Sequence, residues 1–137
     1  MTDFPVTIFH NPACGTSRNV VAMVEAAGYR PEVVEYLKAG WTPDQLEALF
    51  AEAGITPREA LRDRGTPAAE LGLLARDVSD AAILAAMVEH PVLVNRPIVR
   101  TPKGAALCRP SERVFDLLER TPDHFVKADG EVAPGRR

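Results

Sequence analysis

The chain has 137 residues, 46% of them hydrophobic and 26% charged, a size and balance that fit one compact domain with a real core. With 16 Lys+Arg against 19 Asp+Glu, a formal net charge of -3 and a pI near 5.6, it carries no global positive field for nucleic acid or an anionic membrane. Any anion must therefore be held by local geometry. No stretch approaches the ~20 apolar residues of a bilayer span, and Met1-Thr2-Asp3 opens into a strand-like run without a basic leader, so the chain reads as cytoplasmic. Two cysteines, Cys14 and Cys108, are too few for a disulfide scaffold, and His10, His90 and His124 lie too far apart for zinc-ligand spacing, so no metal is expected.

Val6-Thr7-Ile8-Phe9 is a β-branched and aromatic run stopped by Asn11-Pro12, the pattern of a strand feeding a loop. From Thr16 to Ala27 the apolar positions Val20, Met23, Val24 and Ala27 recur at helical spacing, and Gly28 supplies the stop. Val33 to Leu37 again favours strand, giving a β-α-β opening. Thr42-Pro43-Asp44-Gln45 and Thr56-Pro57-Arg58-Glu59 each put Thr at the N-cap, Pro at the first helical position and Gln or Glu at the third, two strong helix starts. Thr66-Pro67 begins a short helix or turn, and Ser79 caps a run through Ile83, Leu84, Met87 and Val88 that His90-Pro91 should end. The apolar stripes of these helices are read as core.

Val92-Leu93-Val94 reads as a strand, and Ile98 to Thr101 followed by Ala105 to Cys108 as a hairpin around Pro102-Lys103-Gly104. Ser111 is placed to cap a last helix bearing Val114, Phe115, Leu117 and Leu118. The tail from Thr121 is polar and rich in breakers, and its last residues are expected to be mobile. The sum is an α/β fold: a thioredoxin/glutaredoxin-like core, βαβ then ββα around a mixed four-stranded sheet, with a helical insertion. The core should take residues 4–40 and 91–120, the insertion 41–90 and the tail 121–137, all in one domain.

The segment His10 to Asn19 puts Cys14 between the end of a strand and the first turn of a helix. Backbone N–H groups of Gly15, Thr16 and Ser17 point out of that turn, and the helix dipole adds about half a positive charge. Cysteines so placed have pKa values lowered from about 8.5 into the range of roughly 3.5 to 7.5. His10 and Arg18 are near enough in sequence to assist electrostatically. The bland alternative, a buried inert thiol, fits poorly with polar, Gly-containing neighbours. Ser17 stands where a dithiol C-x-x-C site would have its second cysteine, so a resolving thiol must come from elsewhere. A phosphatase loop wants Arg six residues after the cysteine, and Val20 is there instead.

His10-Asn11-Pro12-Ala13-Cys14-Gly15-Thr16-Ser17-Arg18-Asn19, together with Asn95-Arg96-Pro97-Ile98-Val99 and Leu107-Cys108-Arg109-Pro110-Ser111-Glu112, resembles the glutathione- and glutaredoxin-coupled arsenate reductases of bacterial arsenic resistance. The likeness runs from the first strand to the last helix. It implies a detoxifying oxidoreductase that reduces arsenate to arsenite through a covalent cysteine-arsenate intermediate. Cys14 matches the nucleophile, and Arg62, Arg96 and Arg109 match the trio that binds the oxyanion, joined by the backbone at Gly15 and Thr16. Guanidinium forks suit a compact tetrahedral anion because they bind oxygens in pairs and stay charged. His10 is expected to help keep Cys14 ionised, and Ser17 to orient the thiolate. Arg96-Pro97 matches the cis-proline site of thioredoxin-like folds, which would bring the Arg96 backbone beside Cys14.

The resemblance also implies that no cofactor is bound, with glutathione as reducing cosubstrate, arsenate as substrate and glutaredoxin as partner. Cys108 is open to two readings, an internal resolving thiol or a packed one; its place at the end of an apolar strand and the family's use of glutathione favour packing. No nucleic acid or membrane partner is expected, and the chain reads as a monomer. Two rival functions remain at this point. One is a glutaredoxin-like thiol transferase, which the monothiol spacing permits but which has no need of the arginines. The other is a thioredoxin-fold regulator that binds RNA polymerase, whose redox-sensing forms carry the paired cysteine that Ser17 replaces here.

Overall fold

The computed structural model describes residues 4–120, 124–126 and 132–134, the last two segments by their backbone. In chain order the elements are β1 (Thr7–His10), α1 (Gly15–Ala26), β2 (Glu32–Glu35), α2 (Tyr36–Ala39), α3 (Pro43–Ala53), α4 (Pro57–Ala60), α5 (Asp80–Glu89), β3 (Ile98–Thr101), β4 (Gly104–Leu107), β5 (His124–Val126) and β6 (Val132–Pro134). Pro91–Leu93 and Ser111–Leu117 are 3-10 turns. The chain divides into two compact units, Met1–Glu35 with Arg96–Arg137, and Tyr36–Asn95.

The first unit is built on a mixed sheet of order β2-β1-β3-β4. β1 runs parallel to β2, with Ile8 opposite Val33, and antiparallel to β3, with Ile8 opposite Val99; β3 and β4 form the expected hairpin. Ile8, Val20, Met23, Val24, Val99, Cys108, Val114 and Phe115 form its core, so the stripe along α1 packs as its spacing predicts. α1 closes where expected: Gly28, at φ 95, takes the left-handed conformation that only glycine adopts cheaply, and Gly28 and Tyr29 donate to the carbonyls of Glu25 and Val24. Tyr29 Oη then accepts from the backbone N–H groups of Glu119 and Arg120, each at 3.0 Å.

The second unit is helical. Both Thr-Pro starts form complete capping boxes, Thr42 with Gln45 and Thr56 with Glu59, and Ser79 accepts from Ala82 N–H to cap α5. Tyr36 stacks on Trp41 at 5.1 Å and its hydroxyl donates to the Val94 carbonyl. Leu61 bridges Val94 in antiparallel fashion, and Arg62 N–H and Asn95 N–H donate to the carbonyls of Leu93 and Ala60.

Four local expectations are corrected. The strand after α1 stops at Glu35, because the buried ring of Tyr36 enters α2 instead. Val92-Leu93-Val94 is not a strand: Pro91 starts a 3-10 turn, and only Val94 keeps a bridge. Ser111 does not cap the last helical segment, which is a 3-10 turn entered from Pro110; its hydroxyl donates to Glu112. β4 ends at Leu107, one residue early, because Cys108 N–H turns to the Pro97 carbonyl. In the tail, β5 pairs antiparallel with β6, so Ala133 and Pro134 lie in a strand; the expected mobility of residues 135–137 falls outside the described residues.

Candidate active site

The β1-to-α1 loop is shaped by Asn11. Its backbone carbonyl accepts Cys14 N–H at 3.0 Å and its Oδ1 accepts Ala13 N–H at 2.9 Å, one turn nested inside another. Asn-Pro is a turn signal in the sequence, but its doubled acceptor role was not foreseen. Cys14 is the N-cap of α1, in extended backbone, and Gly15 and Thr16 follow as the first helical residues. Their N–H groups lie in the turn where a helix has no intrahelical acceptor.

Cys14 is 8% exposed. That burial would push its thiol up. It is outweighed by a hydrogen bond from the Arg96 side chain, the backbone N–H of Ser17, the Arg96 charge and a hydrogen bond from Arg109, and the pKa comes down to about 7. Arg109 Nη1 lies 3.8 Å from Cys14 Sγ and also donates to the Arg96 carbonyl at 3.0 Å. One guanidinium thus ties the Arg96 backbone to the sulfur. Arg96 and Arg109 each precede a cis proline; the first was expected, and the second, at Pro110, was not.

Ser17 and His10 sit behind the sulfur. Ser17 is fully buried, its backbone N–H serves Cys14, and its hydroxyl meets His10 Nδ1 at 2.7 Å and accepts Asn11 N–H at 3.1 Å. The hydrogen bond from Ser17 to the thiolate is therefore made by main chain, while the side chain braces the loop. Burial lowers the His10 pKa, Arg18 lowers it further, and Glu35 opposes them. The ring therefore favours its neutral form, and it meets the Cys14 loop through the Ser17 hydroxyl.

Cys14, Arg96 and Arg109 are brought together within the first unit. Arg62 belongs to the second, where its Nε donates to the Arg64 carbonyl at 3.0 Å and its Nη1 to Asn95 Oδ1 at 3.2 Å. Cys108 is fully buried, and that burial pushes its thiol up to about 12, the behaviour of a packing residue. Among the described residues no three His, Cys, Asp or Glu side chains gather to hold a metal.

A buried thiol near pKa 7 with two guanidinium groups on it has the chemistry that nucleophilic attack on an anion requires. Known proteins resemble the chain over most of its length. Arsenate reductase ArsI1 of Synechocystis sp. is 62% identical over 133 residues, 96% of this chain and 92% of its own length. The arsenate reductase of Escherichia coli K12 is 46% identical over 127 residues, 92% of this chain and 90% of its own length. Among solved structures, an arsenate reductase from Vibrio cholerae superposes with a TM-score of 0.81 at 36% identity, covering 85% of this chain and 100% of its own. The sequence model of the ArsC family matches residues 9–117, and the chain belongs to that family.

Proposed function

We propose that the chain is an arsenate reductase whose nucleophile is Cys14, with glutathione as reductant and glutaredoxin as the partner that regenerates the thiol. The observation that carries this reading is the sulfur itself, near pKa 7 against two guanidinium groups. A disulfide substrate has no use for that fork; a tetrahedral oxyanion does.

Arg96 and Arg109 hold two arsenate oxygens beside the thiolate, with Arg62 as a third ligand by its match to the family motif and the first-turn N–H groups of Gly15 and Thr16 as further donors. Cys14 attacks arsenic, an S–As bond forms, and one oxygen leaves as water. The sulfur of glutathione then attacks Cys14 Sγ. The S–As bond breaks with its electron pair going to arsenic, which falls from As(V) to As(III), and the two sulfurs are oxidised to a mixed disulfide. Glutaredoxin removes the glutathione by thiol exchange. The guanidinium groups bind the ground-state anion and also meet the charge that shifts during attack, so losing one raises KM and lowers kcat. No bound cofactor enters this sequence. The reductant places the reaction in the cytoplasm, where glutathione is kept reduced, and the chain acts as a monomer.

The test is arsenate-dependent NADPH oxidation in the presence of glutathione, glutathione reductase and glutaredoxin. Wild type should turn over and Cys14→Ser should not; equal rates in the two proteins refute the reading.

A further inference from the structure

Arg18 is the cation of the Cys14 loop that the proposed chemistry leaves without a task. It is exposed, unlike the half-buried Arg96 and Arg109. Its side chain folds back from the first turn of α1, Nη1 donating to the Pro12 carbonyl at 2.8 Å. Nη2 stands 3.7 Å from where a Cβ on Gly15 would lie. The guanidinium therefore spans from residue 12 to residue 15, on the loop that presents Cys14 between them. Among the described residues Arg18 makes no other hydrogen bond and no ion pair, so Nε and Nη2 keep their donors for a ligand.

We propose that Arg18 docks a carboxylate of the low-molecular-weight thiol that attacks the Cys14 adduct. The inference rests on the arsenate reductase reading above. The inner arginines are engaged with the sulfur and the oxyanion, so an incoming anionic thiol needs a separate cation beside the loop. A glutathione-like thiol carries carboxylates several bonds away from its sulfur, and a guanidinium fork receives a carboxylate through two parallel N–H bonds. The Pro12 bond already fixes the side chain, so little freedom is lost when the ligand arrives. Gly15, next to Cys14 in the chain, carries no side chain to crowd the fork.

The test compares Cys14 alkylation by iodoacetate, an anion, and by iodoacetamide, its neutral analogue, in wild type, Arg18→Gln and Arg18→Lys at low salt. The iodoacetate-to-iodoacetamide rate ratio should fall about twofold to fivefold in Arg18→Gln, the range of a solvent-exposed ion pair, and recover in part in Arg18→Lys. High salt should erase the difference. In turnover, Arg18→Gln should raise KM for glutathione by the same factor, with KM for arsenate and the rate supported by uncharged 2-mercaptoethanol unchanged. An unchanged alkylation ratio, or equal losses with glutathione and 2-mercaptoethanol, overturns the assignment. If wild type fails to reduce arsenate at all, the functional reading falls, while the alkylation ratio still decides whether Arg18 guides a carboxylate to Cys14.

Discussion

Replacing Arg96 by Gln should remove much of the acidity of Cys14. Burial alone drives that thiol above its ordinary value, and four influences oppose it: the Arg96 hydrogen bond, the Ser17 backbone N–H, the Arg96 charge and the Arg109 hydrogen bond. Arg96 supplies the largest of the four and one more, so its loss leaves burial opposed only by the Ser17 N–H and the Arg109 hydrogen bond. At pH 7 the wild-type sulfur, with a pKa of about 7, is about half thiolate. At the ordinary thiol value of about 8.5, only roughly 3% would be ionised at pH 7, a fall of about fifteenfold. The assay is the pH dependence of iodoacetamide alkylation. Cys108, pushed up to about 12, stays silent across the working range. Wild type should show a midpoint near 7 and Arg96→Gln one moved up toward about 8.5, with similar plateaus at high pH. A midpoint still near 7 in the variant would refute the claim that this guanidinium holds the sulfur ionised.

Three further outcomes follow from the same contacts. Cys108→Ala should leave arsenate turnover intact and cost only about 1 kcal/mol or so of stability, the scale of a small cavity in the core; collapse to the Cys14→Ser rate would make Cys108 the resolving thiol. His10 should titrate by NMR below 6.5, and its linkage has a definite sign. The unfolded imidazole binds a proton near 6.5 and the folded one only at lower pH, so stability is lost as pH falls through the folded midpoint. His10→Gln should flatten that loss in denaturant midpoints taken at about pH 7.5 and 5.5, whereas a ring titrating above its ordinary value of about 6.5 contradicts the reasoning. Tyr29→Phe removes the acceptor of two backbone N–H groups while keeping the ring against Phe4, and should cost roughly 1–3 kcal/mol in urea unfolding; an unchanged midpoint would mean that water replaces the hydroxyl.

Local chemistry was legible wherever it was strong enough to stand alone. Thr42 and Thr56 carry their own acceptors, prolines and partner residues, and both cap as their sequence says. Gly28 ends α1 for the same kind of reason. The misreadings fall on short segments whose conformation is set by distant partners. Tyr36 has β propensity, but its ring is buried against Trp41 and its hydroxyl reaches the Val94 carbonyl, so packing overrides propensity. Val92 to Val94 looks like a strand until Pro91 is recognised as the start of a turn.

The site divides in the same way. A cysteine between a strand and a helix start announces its own ionisation. Arg96 and Arg109 are ordinary charges in the one-dimensional chain, and only the motif resemblance singled them out. That the Ser17 backbone, and not its hydroxyl, faces the sulfur could not be read from residue types, because every residue but proline has the same N–H.

The central claim, that Cys14 bonds first to arsenic and then to glutathione, is met most directly by a single turnover without glutaredoxin. Arsenate and glutathione are added to the protein, the reaction is quenched in acid, and the intact mass and digested peptides are read. The account predicts one glutathione on Cys14 only when arsenate is present, with an equivalent of arsenite released and neither product from Cys14→Ser. Glutathione attached to the same extent without arsenate, or found on Cys108, contradicts it.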